Sequence, residues 1–152
     1  MTPKFRAWDV KDRRWLSPLN LLMDMTGELY WGFAGTVKYQ GNQKTANIIV
    51  EQWTGLKDKN GVEIFEGDIV EQEAITSYPG EYGGDIDLLY IGVVVMIPSK
   101  GACLKRPMVH DRLEDNQKWR CDYYKTIASY RSKVIGNIHA TSELLNGEAK
   151  DA

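Results

Sequence analysis

The sequence predicts a mainly β fold, a small SH3-like barrel with long loop insertions and a short C-terminal helix. Three observations lead there. The chain has 152 residues, enough to close one core, and 11% of them are aromatic, with five Trp and eight Tyr. Such side chains fit pleated, half-buried surfaces. Glycine, with 14 occurrences, supplies the positive φ that tight turns need. Finally, apolar and polar residues alternate over short stretches that turn signals interrupt, which suits a strongly bent barrel.

Taken in order, Phe5, Arg6, Ala7 and Trp8 alternate in polarity, and a charged stretch from Asp9 to Arg14 leads to Trp15 and Leu16. That pattern reads as a hairpin, which Pro18 ends. Residues 21–25 and 29–33 flank Thr26, Gly27 and Glu28 as a second hairpin, and the polar, Gly-bearing residues 35–45 read as loop. Ile48, Ile49 and Val50 mark a buried strand over 47–53. Asn60 and Gly61 both tolerate the positive φ of a type I′ turn, and beyond them Val62 and Ile64 alternate with Glu63. Gly67 and Asp68 then turn the chain into a strand opening at Ile69 and Val70.

Residues 76–87, with Pro79, Gly80, Gly83 and Gly84, read as a long exposed loop. The unbroken run Val93, Val94, Val95, Met96 and Ile97 is the candidate central strand, ended by Pro98. Residues 99–120 are polar and fit no period, and 121–130 suit either a strand or a short helix. Residues 134–138 read as a strand. Thr141, Glu143, Leu144 and Leu145 read as a short helix with a Thr cap, ended near Gly147. No composition break marks a linker, so one domain is expected over 1–147, with 148–152 a frayed tail.

No apolar run approaches the roughly 20 residues of a membrane span, and the N-terminal residues hold no apolar signal region. Two cysteines, Cys103 and Cys121, are too few for a disulfide framework, so a cytoplasmic protein without membrane partners is expected. The net charge of −2 hides a strong asymmetry. Residues 51–99 carry ten acidic and two basic side chains, whereas 100–133 carry nine basic and four acidic ones. The plain reading is that acidic and basic surfaces neutralise each other within the fold or across a subunit contact. The other is a basic patch for nucleic acid.

Three blocks of this chain resemble the YopX family. The first is Lys4, Phe5, Arg6, Ala7, Trp8 and Asp9. The second, and the specific one, runs from Trp53, Thr54 and Gly55 through Asp58, Lys59, Asn60 and Gly61 to Glu66, Gly67, Asp68, Ile69 and Val70. The third is Val134, Ile135, Gly136, Asn137 and Ile138, followed by Ser142, Glu143, Leu144 and Leu145. They come in the family's order and bracket nearly the whole chain. Residues 71–88 and 98–132 depart from the pattern and are longer than the usual connections. The resemblance implies a phage or prophage origin, an SH3-like β-barrel core and self-association. It transfers no catalytic or ligand residue.

The remaining constellations are weighed on chemistry. With Gly61 as the sixth residue of a calcium loop, the first and twelfth positions would be Leu56 and Gly67, which supply no carboxylate. Asp58, Glu63, Glu66 and Asp68 offer paired carboxylates for a metal-dependent hydrolase, but Asp58 and Asp68 also suit Asx bonds within turns, with both Glu facing water. Cys103, His110, Cys121 and His139 lack the close paired spacing of zinc ligands, and a buried small hydrophobe is the ordinary role for Cys. Phosphate-loop and serine-elbow motifs are absent, so no catalytic residue, metal or cofactor is assigned.

The basic segment is richer. Its cations are interleaved with aromatic residues, as in single-strand binders, and the nucleic-acid candidates are Lys105, Arg106, Trp119, Arg120, Tyr123 and Lys125. The same residue types also suit a core or a subunit interface. A non-enzymatic binding or assembly module, forming a homo-oligomer and engaging another protein or nucleic acid, is the function expected. The alternatives are a nucleic-acid-binding accessory protein using 100–133 and a hydrolase using 58–68.

Overall fold

The structure, a computed structural model, describes residues 4–17, 19–33, 36–77, 84–113 and 117–146. The expected 148–152 tail and most of the 78–84 segment lie outside them. The chain falls into two compact units, Met1–Trp53 and Thr54–Ala152, and is mainly β. Among the described residues no helix is long and apolar enough to cross a membrane.

In the first unit, β1 (Phe5–Asp9) and β2 (Arg14–Trp15) form the predicted hairpin. One Asp9 carboxylate oxygen accepts the N–H groups of Lys11 and Asp12, both at 3.0 Å, which closes the turn. Trp8 and Trp15 meet edge to face across the strands with centroids 4.9 Å apart. Such a pair contributes about 0.5–1.5 kcal/mol beyond burial. β1 also pairs with β6 (Ile48–Lys57), which sets Arg6 opposite Glu51. Their ion pair measures 3.1 Å, and the guanidinium lies 4.3 Å over the Trp15 ring.

The unit's other sheet is β3 (Leu21–Met23), β4 (Leu29–Phe33) and β5 (Thr36–Gly41), the first two being the second predicted hairpin. Asp24 holds its turn. The Thr26 hydroxyl and the N–H groups of Glu28 and Thr26 all donate to it, and these bonds keep its carboxyl below the usual range. β5 and the one-turn helix α1 (Gln43–Ala46) occupy residues expected to be loop. Asn42 and Thr45 cap α1 reciprocally, and Asn47, at φ 55°, ends it in the left-handed region. An element made of caps has no period to read. Ala7, Leu29 and Ile48 form the unit's core, with Leu16, Leu21, Ala46 and Val50 against it.

In the second unit, β6 continues from Thr54 beside β7 (Glu63–Phe65). The main sheet holds β8 (Asp68–Ser77), β9 (Asp85–Ile97), β10 (Gly101–Asp111), β11 (Lys118–Arg120) and β13 (Ser132–Asn137). Its order is β11-β10-β9-β8-β13, all antiparallel, with β12 (Lys125–Thr126) added on β10. The sheet is a curled half-barrel. The run from 93 to 97 sits in β9 at its centre, as predicted.

Several expectations are corrected here. Of the loop expected over 76–87, residues 76–77 end β8 and 85–87 open β9, while 78–83 lie outside the described residues. Residues 99–120, which fit no period, contain β10 and β11. The 121–130 segment holds β12 and a 3₁₀ turn, Ser129–Arg131. The Asn60-Gly61 turn is not type I′, because Gly61 (φ 81°) has positive φ and Asn60 does not. Gly61 N–H instead bonds Asp58 O at 3.0 Å. The short C-terminal helix is present as a 3₁₀ helix over Ser142–Asn146, but without the expected cap. The Thr141 hydroxyl is engaged with the Asn137 backbone instead of capping it.

The second core contains Ile64, Val70, Tyr90, Val94, Leu104, Val109, Cys121 and Ile127, with Leu56, Leu88 and Val134 packed against it. Gln72 is fully buried beside it. Its side-chain N–H donates to Thr126 O at 3.3 Å, and its amide oxygen accepts Ala128 N–H at 2.8 Å.

Candidate functional site

Asp58 is buried, and its two carboxylate oxygens accept the N–H groups of Asn60 (2.8 Å), Val62 (2.9 Å) and Val134 (3.0 Å). Asp68 is also buried and accepts Phe65 N–H at 2.8 Å. Both hold turns, the Asx role foreseen. Glu63 and Glu66 are half-buried rather than facing open water. The Asp58 and Asp68 carboxylates are thus engaged by backbone N–H groups. Among the described residues no three His, Cys, Asp or Glu side chains gather to hold a metal. Cys103 and Cys121 are both buried free thiols, as their reading as small hydrophobes implies.

The basic segment behaves differently. Strand register assigns each residue to a face, because side chains alternate and direct partners share a side. Val94, Leu104, Val109 and Tyr90 define the core face. Lys105 pairs with Val93 and Arg120 with Met108, so both lie on the opposite face. Between Lys105 and Met108 the register slips. Arg106 and Pro107 oppose the single residue Gly92, forming a β-bulge. Gly92 is what admits it, since a Cβ there would lie 3.1 Å from both Leu104 Cβ and Pro107 Cβ.

At the bulge Arg106 adopts φ 41°, a left-handed conformation that a non-glycine residue enters at a cost. Its carbonyl accepts Arg120 Nη1 at 3.0 Å. The other Arg120 nitrogen, Nη2, donates to Leu145 O at 3.3 Å in the C-terminal 3₁₀ turn. A cavity of about 440 Å³ results, lined by Val93, Lys105, Arg106, Arg120 and Leu145. Lys118 shares the Arg120 face, two residues away along β11. Sequence reasoning missed Val93 and Leu145, whose role follows only from the register and from the turn's position.

The other three candidates stand apart from this cavity. Trp119 pairs with Val109 on the core face and is 44% exposed. Lys125 pairs with Leu104, also on the core face, with its ammonium 4.6 Å over the Tyr90 ring. Tyr123 lies beside Cys121 and Tyr90; a hydrogen bond with the Cys121 thiol, and then desolvation, push its phenol far above the usual range. The structure thus brings Lys105, Arg106 and Arg120 together and separates them from Trp119, Tyr123 and Lys125.

A second cavity, of about 310 Å³, lies in the first unit between Phe5, Arg6, Leu21, Met23 and Val50. It is mostly apolar, and Arg6 in its wall is already held by Glu51 and Trp15.

A mainly β protein with a cavity lined by three basic side chains is therefore the class that fold and site define. Comparison with known proteins gives the family. The model for the YopX protein family matches residues 4–146, and the chain belongs to that family. Among solved structures it is similar to protein EF1440 from Enterococcus faecalis, at 27% identity and TM-score 0.46, covering 95% of this chain and 99% of that one. It is also similar to protein yopX from Bacillus subtilis, at 18% identity and TM-score 0.44, covering 93% and 96%. No curated protein matches it.

Proposed function

We propose that this chain is a non-enzymatic binding module that holds nucleic acid by its phosphates at Lys105, Arg106 and Arg120. The observation carrying this reading is the β10 bulge, which turns two adjacent cations toward a third around one cavity. None of the three makes an ion pair with a described carboxylate, so their charge is available to an anion. Strain at a bulge that re-aims a side chain is a common mark of a binding site. Asp58 and Asp68, bound to turn backbone, argue against the hydrolase alternative.

The setting belongs to the same proposal: a phage or prophage protein acting in the bacterial cytoplasm, with the curled sheet as part of an SH3-like barrel. Fluorescence anisotropy with labelled oligonucleotides at graded salt tests it. Binding should weaken with log salt at a slope of about −2 for a single strand, from roughly 0.7 counterions per neutralised phosphate and three cations. Absence of binding at low salt would refute it.

Assembly of like chains is a second reading, favoured by one face of the β3-β4-β5 sheet. Leu22, Tyr30 and Tyr39 are cross-strand partners there, with Val37 opposite Gly32. Leu22, Val37 and Tyr39 are 47%, 58% and 53% exposed, an apolar surface that a second copy would cover. Light scattering would give a mass above the monomer's 17.3 kDa, and Val37→Glu would return it to that value. A monomeric wild type would end this reading.

A further inference from the structure

Resting on the phosphate-binding reading, we infer that the ligand is single-stranded nucleic acid crossing the β11 edge, with a base stacked on Trp119. β11 is the end strand of the sheet. Trp119 and Arg120 are consecutive in it, so they project to opposite faces, Arg120 with Met108 and Trp119 with Val109. Arg120 borders the cation cavity, and Trp119, projecting to the other face, is 44% exposed.

A ligand that meets both the cations and the indole must turn around one strand of backbone. Duplex DNA has a persistence length of about 50 nm and does not bend over such a distance. A single strand rotates at every nucleotide and presents phosphate and base in different directions. Cations along its backbone and an aromatic platform for a base are the two elements single-strand sites combine, and each stack contributes roughly a 10-fold gain in affinity.

The test compares labelled oligothymidylate with a short duplex by anisotropy, using wild type, Trp119→Ala, Trp119→Leu, Trp119→Phe and Lys105→Gln. Oligothymidylate should bind more tightly than duplex. Trp119→Ala and Trp119→Leu should lose about 10-fold on the single strand and nothing on the duplex, while Trp119→Phe retains most affinity. Leu keeps an apolar contact at the site, so the comparison survives a folding defect in the Ala variant. Lys105→Gln should weaken both ligands. Equal affinity for both ligands, with Trp119→Leu silent, would overturn the edge crossing and leave phosphate binding in place. Failure of both ligands to bind would instead overturn the phosphate-binding reading on which this one rests.

Discussion

Asp58 Oδ2 accepts the backbone N–H of Val134 at 3.0 Å, joining residues 76 apart in sequence. Its Oδ1 meanwhile closes the 58–62 turn through Asn60 and Val62. Burial by itself would raise this carboxyl, but the Val134, Val62 and Asn60 N–H groups favour the ionised form and hold it below the ordinary 3.8. One side chain thus ties a turn of the central block to the closing strand β13.

A pH dependence follows from the sign of that shift. A carboxyl whose folded pKa is depressed contributes stability that is complete above its unfolded pKa of about 3.9 and is lost as pH falls through the folded value. Asp58→Asn should be less stable than wild type by about 2–3 kcal/mol at neutral pH, since it weakens charge-assisted bonds to buried N–H groups. The gap should narrow below about pH 4, where wild type loses its advantage. Urea titrations across that range measure it. A constant gap into acid would mean that Asp58 acts by shape rather than charge.

Gln72 makes the corresponding link on the other side of β13. Ser132 lies opposite it in the sheet, with the Ser132 hydroxyl 2.9 Å from Gln72 Oε1 and 2.7 Å from Ala128 O. Gln72→Leu keeps the volume but strips partners from Ala128 N–H and Thr126 O, so a loss of about 2–4 kcal/mol is expected. Amide exchange at Ala128 should accelerate in the same variant. An unchanged denaturation midpoint would show that water replaces the amide at no cost.

Much of this architecture was legible. The two hairpins of the first unit announced themselves because one strand of each buries apolar residues, Ala7 and Trp8 in β1 and Leu29 in β4, and the turns carry Asp9 and Asp24 beside flexible or charged residues. The 93–97 run was legible because it is apolar at every position, although within it only Val94 is fully buried and Met96 is exposed. β10 was not, for a physical reason: the bulge at Arg106 and Pro107 shifts the alternation by one residue midway, and each half is too short to establish a period. β5 was hidden because all its residues up to Tyr39 are exposed, so no apolar face patterns it. In the site, composition identified the cations. Their sorting from the aromatic residues needed only the period of two, applied to a strand the sequence had not disclosed.

Gly92 supplies the next prediction. It faces the bulge, and an added methyl would press on Leu104 Cβ and Pro107 Cβ at 3.1 Å and on Pro107 Cα at 3.3 Å. The proline ring and backbone yield less than a flexible side chain would. Gly92→Ala should therefore destabilise by about 1–3 kcal/mol and move Arg106 out of the cluster. Thermal melts and oligonucleotide anisotropy should change together. A variant with lowered melting temperature and full affinity would separate the bulge from binding.

Arg106 allows the sharpest separation of stability from function. At φ 41° its side chain is held in a conformation that glycine adopts freely. Arg106→Gly relieves that strain, roughly 1–2 kcal/mol, and gives back about 0.5–1 kcal/mol through the greater freedom of the unfolded chain. The variant should therefore be as stable as wild type or up to about 1.5 kcal/mol more so, which few substitutions of an ordered residue achieve. It also removes one cation from the cavity, so affinity for oligonucleotides should fall and the salt slope should shrink by about 0.7. Arg106→Lys keeps both the charge and the strain, and should retain wild-type stability with a modest loss of affinity. A strained residue kept only for packing would show the reverse order, with Arg106→Gly destabilised and binding untouched. The pairing of gained stability with lost binding is the signature of a conformation retained for its ligand.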